Sequence, residues 1–168
     1  PTNAIVGETA PDLLGEPVPV AARAGGQQAS MFGQGAHAPG DEPGVQAVER
    51  AAFAGPEEAE IVDRIRAEAP DGWQSLVAID ATGTIVGHLL LSPCPVEDGE
   101  GIVVATVLAI GPVAVLPSVQ FRGVGSSLMY AAMSLAMARA VPALVLLGHA
   151  AYYPRFGFVP GGPLGFIR

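Results

Sequence analysis

The stretch Gln120-Phe-Arg-Gly-Val-Gly125 joins a long apolar segment, Gly101–Leu116, to a helix predicted over Ser126–Ala140. A helix start leaves backbone N–H groups unpaired and gathers partial positive charge, so it holds phosphates readily. Close approach of backbone to a diphosphate requires missing side chains, which Gly123 and Gly125 supply, and glycine adopts positive φ without penalty. Arg122 adds a donor fork, and Ser126 is placed to cap the helix or bond a phosphate oxygen. Two other glycine-loop readings fail. A dinucleotide fingerprint requires glycine where Leu128 stands, and a P-loop requires a lysine, of which the chain has none.

Working outward, the elements alternate in a recognisable order. Pro1–Gly44 is rich in Gly, Pro and Ala; Val18–Ala22 reads as an edge strand and Gly25–Gly44 as a mobile loop, with His37 and Met31 as bystanders. Order is expected from Val45, with residues 45–168 forming one domain. Gln46–Phe53 reads as a helix, and Pro56 suits the first turn of a second whose apolar face is Ile61, Val62 and Ile65. Strands follow at Ser75–Asp80 and Thr84–Ser92, flanking the hairpin signal Ala81-Thr82-Gly83. Pro93–Gly101 reads as a loop, Gly101–Leu116 as a buried strand, and Ala143–Leu147 as a last strand after Pro142. Met129, Met133 and Met137 form one stripe of the intervening helix, expected to pack on the sheet. The order gives an α+β domain around a mixed sheet.

Composition narrows the function. The chain has 168 residues, half of them apolar, a net charge of -8 and eight basic residues, all Arg. No basic cluster exists to release counterions, so neither nucleic acid nor an anionic membrane is an expected partner. Cys94 is the single cysteine; flanked by prolines with no basic neighbour, it is not an expected nucleophile, and no intrachain disulfide can form. That suits a cytoplasmic location. Mean hydropathy is +0.43. The most apolar run, Ile102–Pro117, is shorter than the roughly 18 residues of a span and is broken by Gly111-Pro112, so it reads as a buried strand with a bulge.

From the strand onward the sequence resembles the GNAT superfamily of N-acetyltransferases, whose pattern Gln/Arg-x-x-Gly-x-Gly/Ala is matched by Gln120, Gly123 and Gly125. Ile110-Gly-Pro-Val-Ala-Val-Leu-Pro117 looks like the family's strand into that loop, and Tyr152-Tyr-Pro-Arg-Phe-Gly-Phe158 resembles its Tyr-x-x-x-Gly-Phe segment, especially in a poorly characterised bacterial branch. The resemblance covers about Val45 to Arg168. It implies a three-layer fold with a central mixed, mostly antiparallel sheet flanked by helices, and acetyl-CoA as acyl donor to an amine by direct transfer.

It also implies site residues. Backbone amides of Phe121, Arg122, Gly123, Val124, Gly125 and Ser126 would grip the pyrophosphate, beside Gln120. Backbone groups of Val113, Ala114 and Val115 would pair with the pantetheine arm, with a bulge at Gly111-Pro112 splaying the strand from Ala143–Leu147. Tyr153, four residues before Gly157, stands where relatives carry the tyrosine that protonates the departing thiolate; its alternative role is packing under the cofactor. For a base the resemblance favours Glu97–Glu100, with Glu97 first, over His88, which reads as structural, and His149. No metal site is expected.

Two departures from the pattern stand out. The N-terminal region is long, and the strand that follows the Phe-Gly-Phe segment in the family has no counterpart before Arg168. That final strand is absent, supplied by a partner or lost by truncation, and an unpaired apolar edge invites a homodimer. The same departure motivates the alternative function, a non-catalytic acyl-CoA-binding or interaction module on the same fold.

Overall fold

In a computed structural model of the chain, residues 4–8, 19–22, 41–53, 55–68 and 73–166 are described. The strands β1 (Ala4–Glu8) and β2 (Pro19–Ala22) pair antiparallel, so the edge strand expected at Val18–Ala22 pairs within the N-terminal region. His37, Met31 and most of the expected loop over residues 25–44 lie outside the described residues.

The remaining chain builds one sheet with helices on both faces. Helices α1 (Glu42–Phe53) and α2 (Glu57–Glu68) precede β3 (Gln74–Ile79), β4 (Ile85–Glu97) and β5 (Val103–Val115). Helix α3 (Val124–Ala138) and β6 (Leu144–Leu146) follow. The strand order is β3-β4-β5-β6, antiparallel except for the parallel pair β5–β6, so the mixed sheet expected from the sequence is observed, open at β6.

Leu89, Leu90 and Leu91 explain why the sheet needs two covers. All three are fully buried, and successive strand residues point to opposite faces. Leu89 and Leu91 pack with Ile110 against Val124, Leu128, Met129 and Ala132 of α3. Leu90 packs with Val77 against Val45 of α1 and Val62 of α2. Gly87 sets how near α3 comes: a Cβ there would lie 2.9 Å from Val124 Cγ1 and 3.1 Å from Leu128 Cδ1.

Three expectations are corrected. The buried stripe of α2 is Ala59, Val62 and half-buried Ile65, while Ile61 is 37 % exposed, because it lies about 100° around the helix from Val62. Met129 is core and Met133 partly so, but Met137, rotated about 80° from Met129 by eight helical steps, faces solvent. Pro93–Glu97 continues β4 instead of starting a loop. Pro93 pairs with Leu108 and Pro95 with Thr106. The N–H of Leu108 bonds Ala143 O at 3.2 Å, away from β4, so both prolines occupy the non-hydrogen-bonded positions of the ladder. A missing N–H costs nothing there. Only Asp98–Gly101 turns, with the Asp98 carboxylate accepting from the N–H groups of Glu100 and Ile102.

Candidate active site

The site begins with one extra residue. Leu91 faces Ile110 and Leu89 faces Val113, so Gly111 and Pro112 together oppose Leu90: a β-bulge where the sequence places it. β6 pairs with β5 only over Leu108–Ile110 and stops where the bulge starts. Beyond it no strand among the described residues pairs with β5 on that side. The N–H of Leu116 bonds Val86 O at 2.9 Å, which assigns the backbone of Leu116 and Ala114 to β4 and turns that of Val113 and Val115 outward. Ala114, grouped with these valines in the sequence reading, therefore spends its backbone groups on β4.

The gap opens into a cleft of about 610 Å³. Val113 and Val115 of β5 line it together with His149, Tyr152 and Tyr153. Ala52 and Phe53 of α1 and Val119, Gln120, Phe121, Val124 and Gly125 of the loop and the start of α3 complete the lining. The Gln120 side chain donates to Val115 O at 3.1 Å, tying the loop to the strand. Gly123 is the N-cap of α3 at φ 89°, and Phe121 takes φ 61°. Two left-handed residues in one loop curl successive amides toward a common point, the arrangement that binds anions. No side chain caps α3. Ser126 is the third helical residue and not the cap, and Arg122 is exposed beside the loop.

Gly125 serves a different purpose from Gly123. It lies inside the helix, and a Cβ there would sit 3.0 Å from Tyr152 Oη and 3.6 Å from Val115 Cγ2. Its missing side chain leaves room for the Tyr152 hydroxyl at the helix start. Tyr153 stacks edge-on against Tyr152, with centroids 5.1 Å apart, and its ring lies where a Cβ of Gly148 would be. Burial, and then the neighbouring Tyr152, hold the Tyr153 hydroxyl above the ordinary tyrosine range, so it keeps its proton. Arg155 donates to Tyr152 O at 2.9 Å and covers the Tyr152 ring at 4.4 Å, a local role.

The base candidates divide by position. Glu97 is exposed opposite Val103, eight β4 residues or about 27 Å from Leu89, the partner of Val113, and lines no part of the cleft. Asp98 and Glu100 share that turn. His149 does line the cleft. His88 is fully buried, with Nε2 at 2.9 Å from Ser75 Oγ and Nδ1 at 2.5 Å from Glu49 Oε1. Arg66 donates to the same Ser75 Oγ at 2.8 Å and lies over the Trp73 ring at 5.3 Å. Of this buried polar chain, sequence reasoning places only His88, as a structural histidine, and misses its partners Glu49, Ser75 and Arg66. Its one signal there is Glu49 itself, a charge on the Val45, Val48, Ala52 face of α1. Burial raises the Glu49 carboxyl to about 8, Glu58 adds to the rise and Arg66 opposes it. Among the described residues no group of three or more His, Cys, Asp or Glu could hold a metal, and no helix is long and apolar enough to cross a membrane.

A strand pair parted by a bulge beside a helix start without a side-chain cap is an arrangement suited to an extended, phosphate-bearing molecule. The chain belongs to the acetyltransferase (GNAT) family, whose sequence model matches residues 44–158. It is 33 % identical over 122 residues to the uncharacterized N-acetyltransferase YhbS of Escherichia coli (strain K12), covering 71 % of this chain and 69 % of that one. A crystal structure of YhbS from Escherichia coli in complex with CoA is 29 % identical, with a TM-score of 0.69 over 77 % of this chain and 69 % of that one. A GNAT acetyltransferase from Brucella melitensis in complex with acetyl-CoA is 35 % identical, with a TM-score of 0.65 over 75 % and 81 % of the two chains.

Proposed function

We propose that this acetyltransferase carries an acetyl group from acetyl-CoA to an amine by direct transfer in the cleft between β5 and the segment after β6. The divergence of the two strands at Gly111-Pro112 carries the reading, because it frees backbone groups of β5 beside the amide-rich start of α3. Amides of Phe121–Ser126 take the pyrophosphate. The pantetheine arm lies along the outward backbone of Val113 and of Val115, whose carbonyl already accepts from Gln120.

Direct transfer requires a neutral amine, a polarised thioester carbonyl and a proton for the leaving thiolate. Tyr153 supplies that proton, since it lines the cleft and its environment favours the protonated form. The amine's proton leaves at the open mouth, where His149 is the base candidate present; Glu97 has no part in this assignment. CoA leaves as the free thiol, and neither nucleic acid nor a membrane enters the proposed reaction.

Calorimetry with acetyl-CoA tests the binding half. Saturable binding is expected, and Gly123→Asp should abolish it through a strained left-handed aspartate and charge repulsion. Absence of binding to the folded wild type at millimolar acetyl-CoA would overturn the assignment of the cleft. Thiol release across a panel of amines tests the chemical half; binding without turnover of any amine would leave a non-catalytic module.

A further inference from the structure

Two costs meet at Phe121. Its ring is fully exposed (104 %), whereas Leu147, the next most exposed large apolar side chain among the described residues, reaches 74 %. The other described phenylalanines are at least half covered. Its backbone sits at φ 61°, where a bulky aromatic is an outlier and glycine would be unstrained. Ala140 shares the positive φ for an ordinary reason: it follows the end of α3, where its N–H bonds Met137 O. Phe121 has no such reason. Gln120, between the short turn Pro117–Val119 and Phe121, is extended at ψ 158°, so Phe121 closes no helix. Backbone strain of this kind concentrates at ligand clamps, and here it holds an uncovered aromatic ring at the rim of a cleft.

We infer that the Phe121 ring receives the adenine of CoA, an inference that rests on the cleft being the acetyl-CoA site. CoA hangs two arms from one diphosphate, pantetheine on one side and 3′-phosphoadenosine on the other. With pantetheine along Val113 and Val115, the adenosine leaves the loop toward solvent. Phe121 lines the same cleft, opens the run of amides assigned to the diphosphate and presents its ring to solvent. In the left-handed conformation its amide joins the curl of the loop while the ring stays outside it. An aromatic face stacks on a nucleobase and excludes water from both. Charge does not supply the same grip. The chain has a net charge of -8 and CoA is itself an anion, so long-range electrostatics oppose the encounter and a flat apolar contact offsets them. Phe121 thereby sets donor specificity. Acyl groups on CoA are favoured over those on a phosphopantetheine without adenosine, the form borne by a carrier domain.

Calorimetry of the full chain with two donors separates the ring from the rest of the site. One is acetyl-CoA; the other is S-acetyl-4′-phosphopantetheine, which keeps the arm and one phosphate but has no adenosine. Phe121→Ala should weaken acetyl-CoA binding about tenfold, the usual worth of a base stacked on an aromatic ring, and leave the truncated donor within about twofold. Phe121→Gly should match Phe121→Ala, because glycine keeps the positive φ and so removes the ring without disturbing the loop. Phe121→Trp should retain the affinity, and its emission, measured over that of Trp73, should be quenched by acetyl-CoA and not by the truncated donor. The loss in Phe121→Ala should persist at high salt, since stacking is not screened. Equal losses for both donors would make Phe121 a residue that only shapes the loop, and a loss that disappears at high salt would assign the effect to charge; either result overturns the inference. So would unchanged acetyl-CoA affinity in both Phe121→Ala and Phe121→Gly, with the acetyl-CoA cleft left standing. A folded wild type that binds neither donor would instead remove the cleft assignment and this inference with it.

Discussion

Replacing Glu49 with glutamine removes one titration from the core and leaves its packing nearly unchanged. The carboxyl is fully buried, its Oε1 lies 2.5 Å from His88 Nδ1, and its Oε2 has no hydrogen-bond partner among the described residues. Burial raises it from 4.5 to about 8, with Glu58 adding and Arg66 opposing. The folded state thus holds a proton that the unfolded chain releases near 4.5. The stability this provides is complete below 4.5 and is lost as pH rises through about 8. At about 1.4 kcal/mol per pH unit, the gap between the two values corresponds to at most about 5 kcal/mol. The substituted glutamine is uncharged in both states, and its amide can still donate to His88 Nδ1. Urea unfolding of wild type and Glu49→Gln at pH 5.5, 7 and 8.5, compared at constant m, isolates the difference. The variant should gain on the wild type with each step upward, by several kcal/mol across the range. Repulsion from the net charge of -8 acts on both proteins and cancels in the comparison. Equal pH slopes, or a variant that loses ground as pH rises, would mean that the pair is held as carboxylate and imidazolium and would refute the reasoning.

The remaining predictions concern the cleft. Tyr153→Phe should lower kcat by about 10²–10⁴, the usual worth of a positioned proton donor, with acetyl-CoA affinity by calorimetry within a few-fold of wild type. Its basic limb in the wild-type pH–rate profile should lie above the ordinary tyrosine range, since burial raises Tyr153; a limb near neutrality assigned to this residue would contradict its role. Gly148→Ala drives a Cβ into the Tyr153 ring, so thermal melts should show about 1–3 kcal/mol of destabilisation and kcat should fall about 100-fold as the hydroxyl moves. Gly125→Ala should weaken acetyl-CoA binding by crowding Tyr152 Oη, and adding Tyr152→Phe should recover part of the loss; unchanged affinity of the single variant would show that the contact has no bearing on the cofactor.

The loop proposed to hold the pyrophosphate and its two flanking elements are legible because local rules govern them. A glycine needed for positive φ, a helix start and an apolar β-branched strand each leave marks within a few residues, and Gly123, α3 and β5 follow those marks. Features that depend on partners distant in sequence are not legible. Pro93 and Pro95 punctuate a loop when read alone, and only the ladder to Leu108 and Thr106 shows that their missing donors face outward. Glu49 is an ordinary helix glutamate until β4 brings His88 beneath it. The resemblance favours Glu97 as base because it stands near the start of β5, and the length of β5 sets that start far from Val113 and the cleft. Gly125 stands out in the sequence as a phosphate-loop glycine, yet its neighbour in space is Tyr152, 27 positions later.

The bulge shows how little is needed to turn a packed sheet into a binding site. Between Ile110 and Val113 the strand β5 holds one residue more than β4 holds between Leu91 and Leu89. Removing Pro112 would leave Gly111 opposite Leu90 and Val113 still opposite Leu89. Every side chain downstream would keep its present face, and Val113 and Val115 would keep their outward backbone groups. The extra residue therefore contributes nothing to register or burial; its effect is to bend β5 away from β6. A chain lacking Pro112 should fold with stability within about 1 kcal/mol of wild type, since no core residue is lost and one irregularity is removed. Its straightened β5 should continue pairing with the residues after Leu146, fill the gap and lose detectable acetyl-CoA binding. Amide exchange supplies the structural readout: Val113 and Val115 should become protected as they gain a strand partner. If the folded deletion variant binds acetyl-CoA as the wild type does, the cleft does not depend on the parting of these strands. In that case the outward backbone of Val113 and Val115 is not what the cofactor uses.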